Sequence, residues 1–138
     1  MGSLTTHVHD YFARCSTGTA DHLAAAFTQD AVVYDTNIRP IRGAQEIGAW
    51  WVKIREQWGG AQWFVDTAVE EGDAIAIEWT MVGQSDGEPF TVRGSDHYTF
   101  QGKQIAEIRQ YWTFDKQRPG SELRGFPYRD DPRFHSAR

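Results

Sequence analysis

The spacing of apolar residues changes once along the chain, near residue 60, from a helical to an alternating pattern. Before that point, residues 4–16, 20–28 and 44–58 carry apolar side chains every three or four positions, which predicts three amphipathic helices. Thr19 is suited to cap the second helix, and Gly59-Gly60 to end the third.

After residue 60 the alternation of apolar and polar residues is typical of β-strands. The predicted strands are residues 62–69, 74–82, 90–100 and 105–114, joined by short turns that each contain glycine. An earlier β-prone run, residues 31–34, ends at Asp35 and leads into a loop over residues 36–43. Helices followed by an antiparallel meander indicate an α+β fold. A curved sheet with the helices on its concave side would enclose a cavity.

The length of the chain favours one domain with a substantial core. We assign residues 1–115 to that domain and residues 116–138 to a polar extension rich in Arg, Asp and Pro. The extension has no clear period. We expect it to wrap over the surface of the domain or over a partner subunit.

Composition narrows the classes of partner. The net charge is −5 and the sequence has no basic stripe, which argues against nucleic acid as a partner. No long apolar run or signal peptide is evident, so we expect a cytoplasmic protein with no membrane partner. The single cysteine, Cys15, excludes an internal disulfide. Six tryptophans are many for this length and suit a core, an interface or an apolar pocket.

Three polar residues stand out because each lies in a mostly apolar segment: Tyr11 in the first helix, and Asp35 and Asp96 in strands. A carboxyl group among core residues is costly unless it is paired or used chemically. A proton-shuttling pocket needs three groups of this kind. One carboxylate acts as a base, and a neutral acid and a phenol hold the oxyanion.

Structural roles are open for the same residues. Asp35 could bind the backbone of the loop that follows it, and Tyr11 could be a core residue. Asp96 could form an ion pair with Arg93 or Arg109. Four tryptophans favour the core or a dimer interface over a ligand wall: Trp50, Trp51, Trp58 and Trp63.

The order of elements resembles the cone-shaped fold of the nuclear transport factor 2-like superfamily, which includes ketosteroid isomerases and SnoaL-type polyketide cyclases. The resemblance to ketosteroid isomerases covers residues 8–114. Asp30–Asp35 is similar to the family's strand that ends at its general base, and Tyr11 stands at the family's spacing before that base. Ser95–Phe100 resembles the strand that carries the protonated oxyanion aspartic acid, and residues 105–112 resemble the last strand of the family.

This resemblance implies a cofactor-independent isomerase or cyclase that acts on a small apolar carbonyl compound. Asp35 would be the general base, while Tyr11 and a neutral Asp96 would hold the oxyanion. The family also implies a homodimer. We expect the pocket to be lined by Trp112, Trp79, Met81, Ile108, Gln110, Val33 and Phe27.

The sequence predicts neither a metal nor an organic cofactor, because the histidines lack ligand spacing and the glycines form no phosphate loop. Two other hypotheses remain. One is a binding protein that keeps the cavity without chemistry, and the other is an interaction module that uses the sheet face to dimerise. Burial of Asp35 beside apolar wall residues would make it a better base and so favours the enzyme.

Overall fold

The computed structural model describes residues 2–113, 122–128 and 130–131. Three helices precede the long meander: α1 (Ser3–Thr17), α2 (Ala20–Ala24) and α3 (Ala44–Gln57). Two strands lie between α2 and α3: β1 (Phe27–Asp35) and β2 (Ile41–Arg42). The meander consists of β3 (Gln62–Glu71), β4 (Ala74–Ser85), β5 (Glu88–Gln101) and β6 (Gln104–Tyr111). The predicted α+β class is therefore confirmed.

The six strands form one curved, unclosed sheet in the order β2-β1-β6-β5-β4-β3. Strands β3 to β6 pair in sequence and antiparallel, as the meander predicted. The first strand, β1, pairs with β6 in parallel. The periodicity of the sequence did not predict this parallel pair, because alternation sets the face of a side chain and not its neighbouring strand.

The segment after α2 differs from the prediction. The helix expected over residues 20–28 ends at Ala24, and Phe27 opens β1. Phe27 lies in register with Ile105 of β6, whose backbone N–H donates to the carbonyl oxygen of Ala26 at 2.9 Å. Pairing with β6 thus outweighs the local helical preference. Phe114, predicted to extend the last strand, lies outside the described residues.

Helix α1 is held at both ends by polar contacts. At its N-terminus, the backbone N–H and hydroxyl of Thr5 donate to Glu70 Oε2 of β3 at 2.6 and 2.8 Å. At its C-terminus, Arg55 of α3 donates to the carbonyl oxygens of Cys15 and Gly18 at 3.0 and 2.9 Å. Both contacts suit the helix dipole, which favours an acid at the N-terminus and a base at the C-terminus. These contacts at the two ends of α1 fix the position of the helix and therefore of Tyr11.

The described part of the extension lies against the sheet face opposite Asp96. Arg93 of β5, an odd number of positions from Asp96, points to that other face. Its Nε lies 3.0 Å from Glu122 Oε1, and its guanidinium lies 3.9 Å from the ring centre of Tyr128. None of the helices in the described ranges is both long and apolar enough to cross a membrane.

Candidate active site

A cavity of about 310 Å³ lies between the helices and the concave face of the sheet. This volume is at the small end of the range of roughly 300–1,000 Å³ for ligand pockets. Aromatic side chains dominate the wall, and a few polar groups face the same space. The aromatic members are Tyr11, Phe12, Trp50, Trp51, Trp58, Trp63, Trp79, Tyr98 and Trp112; the polar ones include Asp35, Asn37, Gln57, Asp96 and Gln110.

Strand pairing places the two carboxyl groups in one row across the sheet. Asp35 of β1 is in register with Gln110 of β6, and Gln110 is in register with Asp96 of β5. Neighbouring strands are about 4.8 Å apart, so the Cα atoms of the two aspartates are separated by about 10 Å. All three side chains line the cavity. Tyr11 reaches the same cavity from α1, so the three residues singled out in the sequence come together.

Asp35 accepts hydrogen bonds on both carboxyl oxygens. Gln110 Nε2 and Trp112 Nε1 donate to Oδ2 at 2.5 and 2.8 Å. The backbone N–H and the side-chain amide of Asn37 donate to Oδ1 at 2.6 and 3.3 Å. Asp35 thus lines the cavity and also forms the turn at the start of the loop, so the structural role considered above is present as well.

Asp96 is buried and is held by two neutral donors. Trp79 Nε1 donates to Oδ1 at 2.6 Å and the hydroxyl of Tyr98 donates to Oδ2 at 2.7 Å. Burial raises the pKa of Asp96 to about 7, the two hydrogen bonds partly oppose this, and the charge of Asp35 adds to it. The ion pair with Arg93 or Arg109 does not form, because these arginines contact Glu122 and Glu107 instead.

A glycine gives Trp79 the room to reach Asp96. Gly94 of β5 is in register with Trp79 of β4, and a Cβ atom at Gly94 would lie 2.4 Å from Trp79 Cζ2. The indole therefore lies over the backbone of β5, with its N–H at Asp96. Its ring packs edge-to-face against Trp112 at 6.3 Å between centroids. Glycine inside a strand is the sequence signal for such a close approach.

Tyr11 is buried beside Tyr98, with the two ring centroids 6.2 Å apart in an edge-to-face arrangement. Cys15, one turn further along α1, is buried and lines the same cavity. Burial, followed by Cys15, raises the pKa of Tyr11 well above its usual value. Burial also raises the pKa of Tyr98 above its usual value and that of Cys15 to about 12. All three groups are therefore protonated at neutral pH.

Four of the seven predicted pocket residues line the cavity: Trp112, Trp79, Met81 and Gln110. The prediction is wrong for Val33, Phe27 and Ile108, which are buried in the core without lining the cavity. Val33 and Ile108 are in register with Tyr98, two positions along the sheet from the row of Asp35 and Asp96. Phe27 packs edge-on against Tyr11, with 5.2 Å between the ring centroids. Tyr11 and Tyr98 thus line the cavity, while Phe27 packs against the ring of Tyr11 and Ile108 lies beside Tyr98 in the core.

Eleven of the described lining residues were not predicted from the sequence, among them Tyr98 and the tryptophans Trp50, Trp51, Trp58 and Trp63. Tyr98 had a usable signal, since it lies two positions after Asp96 and so shares its face of the strand. For the tryptophans, no sequence signal separates a position in the core from a position on a cavity wall. No group of three His, Cys, Asp or Glu side chains within the described segments is placed to hold a metal ion.

Residues 8–108 match the family model described as a SnoaL-like domain. No curated protein matches the chain. Solved structures share its fold at low identity. A protein of Catenulispora acidiphila with a ketosteroid isomerase-like fold, in complex with trimethylamine, is 21% identical, with a TM-score of 0.72, over 78% of this chain and 85% of its own.

Two further neighbours are proposed polyketide cyclases. The protein from Jannaschia is 16% identical with a TM-score of 0.68, over 80% of this chain and 85% of its own. The protein from Sinorhizobium meliloti is 24% identical with a TM-score of 0.66, over 80% of this chain and all of its own. At these identities the similarity establishes the fold alone.

Proposed function

Because the chain belongs to the SnoaL-like domain family, we propose that it is a cofactor-independent acid/base enzyme, an isomerase or a cyclase, that acts on a small apolar carbonyl compound. The observation that carries this proposal is the row of Asp35, Gln110 and Asp96 in one aromatic cavity. The carboxyl group of Asp35 contacts only N–H donors, and burial lets the carboxyl group of Asp96 hold a proton near neutral pH.

Asp35 is the proposed general base. Its contact with the Asn37 side-chain amide is long, at 3.3 Å, and exposed. Displacement of that amide by a substrate frees a lone pair on Oδ1. The carboxylate then takes a proton from a carbon next to the substrate carbonyl and returns it to another carbon, so that the double bond moves and no atom is gained or lost. Attack of the same enolate on a second carbonyl would close a ring, and the proton held by Asp35 would pass to the alkoxide formed there, as a cyclase requires.

Asp96, Tyr98 and Tyr11 are the proposed donors to the enolate oxygen. The N–H of Trp79 can only donate, so Asp96 Oδ1 stays an acceptor and the proton of the neutral acid sits on Oδ2. The hydroxyl of Tyr98 donates to this same oxygen, which leaves the proton of the acid available to the enolate oxygen. The acid and the phenol thus form one donor unit beside Tyr11, in a cavity where such donors act with little competition from water.

The test is a spectroscopic assay with a β,γ-unsaturated ketosteroid, in which the absorbance of the conjugated enone is followed. Asp35→Asn should lower the rate by about 10²–10⁴-fold, the usual contribution of a positioned base. Asp30→Asn makes the same change at an exposed position of the same strand and should leave the rate unchanged. A folded wild-type protein that converts neither this ketone nor a smaller β,γ-unsaturated one would overturn the isomerase and favour a cyclase or a binding role.

A non-catalytic binding role is the second candidate. It is favoured by the four N–H contacts of Asp35, which satisfy the carboxylate without any chemistry. The neighbour crystallised with trimethylamine also supports a small-molecule cavity in this fold. Tight binding of a ketone that is never converted would favour this candidate over the enzyme.

A further inference from the structure

Every tryptophan of the chain lines the cavity. The sequence contains six, and all six belong to this one wall: Trp50, Trp51, Trp58, Trp63, Trp79 and Trp112. They come from α3 and the residue after it, from β3 and β4, and from the residue after β6. A wall that only excludes water could be built from leucine or isoleucine. Indole rings add a face of negative potential, and tryptophan is the strongest of the aromatic residues in this respect.

The charged groups of the wall have one sign. Asp35 and Asp96 line the cavity, and none of its described lining residues is Lys, Arg or His. Nearby basic groups are engaged elsewhere. Arg55 binds the carbonyl oxygens at the end of α1, and Arg93 points to the opposite face of the sheet. The ammonium of Lys53 lies 5.9 Å from the ring centre of Trp50 without lining the cavity.

We infer that this cavity binds an organic cation, an alkylated ammonium group surrounded by the tryptophans and neutralised by the carboxylate of Asp35. A metal ion would require more oxygen ligands than the wall offers. A primary ammonium is strongly hydrated and needs several acceptors. An alkylated ammonium presents apolar carbon to the rings and spreads its charge over that surface. The inference rests on the proposed function for the location of the site alone and does not depend on its chemistry.

The first experiment compares choline with dimethylbutanol, its isostere in which a quaternary carbon replaces the nitrogen. Binding is measured by quenching of tryptophan fluorescence and by calorimetry. We expect choline to bind at least about tenfold more tightly, because the two ligands differ only in charge. Equal or tighter binding of the isostere would overturn the inference, as would the absence of binding of either ligand by the folded protein.

The second experiment removes one ring and one charge separately. Trp51 suits this purpose because its Nε1 has no hydrogen-bond partner among the described residues, so Trp51→Phe breaks no hydrogen bond. Trp51→Phe should retain most of the preference for choline, and Trp51→Leu should reduce it several-fold. Asp35→Asn should weaken choline binding and leave the isostere unchanged, with Asp30→Asn as control. Equal losses for both ligands in every variant would show that only apolar packing is involved.

The cation and the ketone are assayed separately, so the two proposals fail separately. Selective choline binding without conversion of any ketone leaves the cation site standing and overturns the enzyme. Conversion of a neutral ketone by a protein that does not distinguish choline from its isostere overturns the cation site and leaves the enzyme standing.

Discussion

At the scale of single residues, Asp96 has the most unusual environment in the described chain. Its carboxyl group is buried, contacts two neutral donors and has no cationic partner. Removal from water penalises the charged form more than the hydrogen bonds of Trp79 and Tyr98 favour it, so the pKa rises to about 7. A neutral acid in an apolar pocket can donate a hydrogen bond, which an ordinary surface carboxylate cannot do.

This environment predicts how stability depends on pH. The pKa of Asp96 is 3.8 ordinarily and about 7 in the folded protein. Its contribution is fully present below the ordinary value and is lost as the pH rises through about 7, because the folded state must then hold a buried charge. The loss is at most about 4 kcal/mol, at about 1.4 kcal/mol for each pKa unit. Denaturant unfolding between about pH 3.5 and pH 8 measures it.

Two variants test the assignment to Asp96. Asp96→Asn is neutral and isosteric, so the decline in stability over this pH interval should become smaller. Tyr98→Phe removes a hydrogen bond that lowers the pKa of Asp96, so the decline should move to higher pH. If the wild type and Asp96→Asn lose stability in parallel, another group causes the pH dependence.

At the scale of elements, the packing of α2 on α3 depends on a glycine. Gly48 is buried in α3, and a Cβ atom there would lie 2.3 Å from the carbonyl oxygen of Ala20. The obstacle is backbone and cannot rotate away. Because α3 carries Trp50 and Trp51 and is followed directly by Trp58, this contact also positions three of the six tryptophans of the cavity wall.

We expect Gly48→Ala to lower the free energy of unfolding by about 1–3 kcal/mol, the usual cost of overpacking. In an exposed helix the same change would stabilise by about 1 kcal/mol, so the sign of the effect distinguishes close packing from helix propensity. Gln45→Ala, at an exposed position of α3, is the control and should be close to neutral. A variant Gly48→Ala as stable as the wild type would show that α2 can shift without cost.

At the scale of the whole molecule, the extension and the cavity meet at two tryptophans. Trp79 and Trp112 line the main cavity and also a cleft on the other side, together with Arg93, Leu123 and Tyr128. The phenol of Tyr128 accepts a hydrogen bond from the backbone N–H of Leu123 at 2.9 Å, and its ring lies under Arg93. The described part of the extension therefore packs behind the side chains that bind Asp35 and Asp96.

Tyr128→Ala should release this part of the chain with little effect on the domain. We expect faster proteolytic cleavage around residues 122–128, while the free energy of unfolding changes by less than about 1 kcal/mol, since a single cation–π contact is worth little more than that. Tyr128→Phe keeps the ring over which Arg93 lies and should resist the protease almost as well as the wild type. Equal cleavage of both variants would mean that the hydroxyl, and not the ring, holds the extension.

The sequence by itself determined helices α1 and α3, the strands of the meander and the α+β class, because these depend on the local period of apolar side chains. It also singled out Tyr11, Asp35 and Asp96, since a polar group in an apolar segment is visible without a structure. Their roles as base and oxyanion donors remain predictions.

Only the tertiary structure decided which strands are neighbours and what lines the cavity. The parallel pairing of β1 with β6 brings Asp35 into the row of Asp96, and no local pattern records that pairing. The same holds for the tryptophans: an aromatic residue in a core and one on a cavity wall have the same sequence signature. Whether the space beside a ring is filled depends on side chains distant in the chain, here those that leave a cavity of about 310 Å³ open.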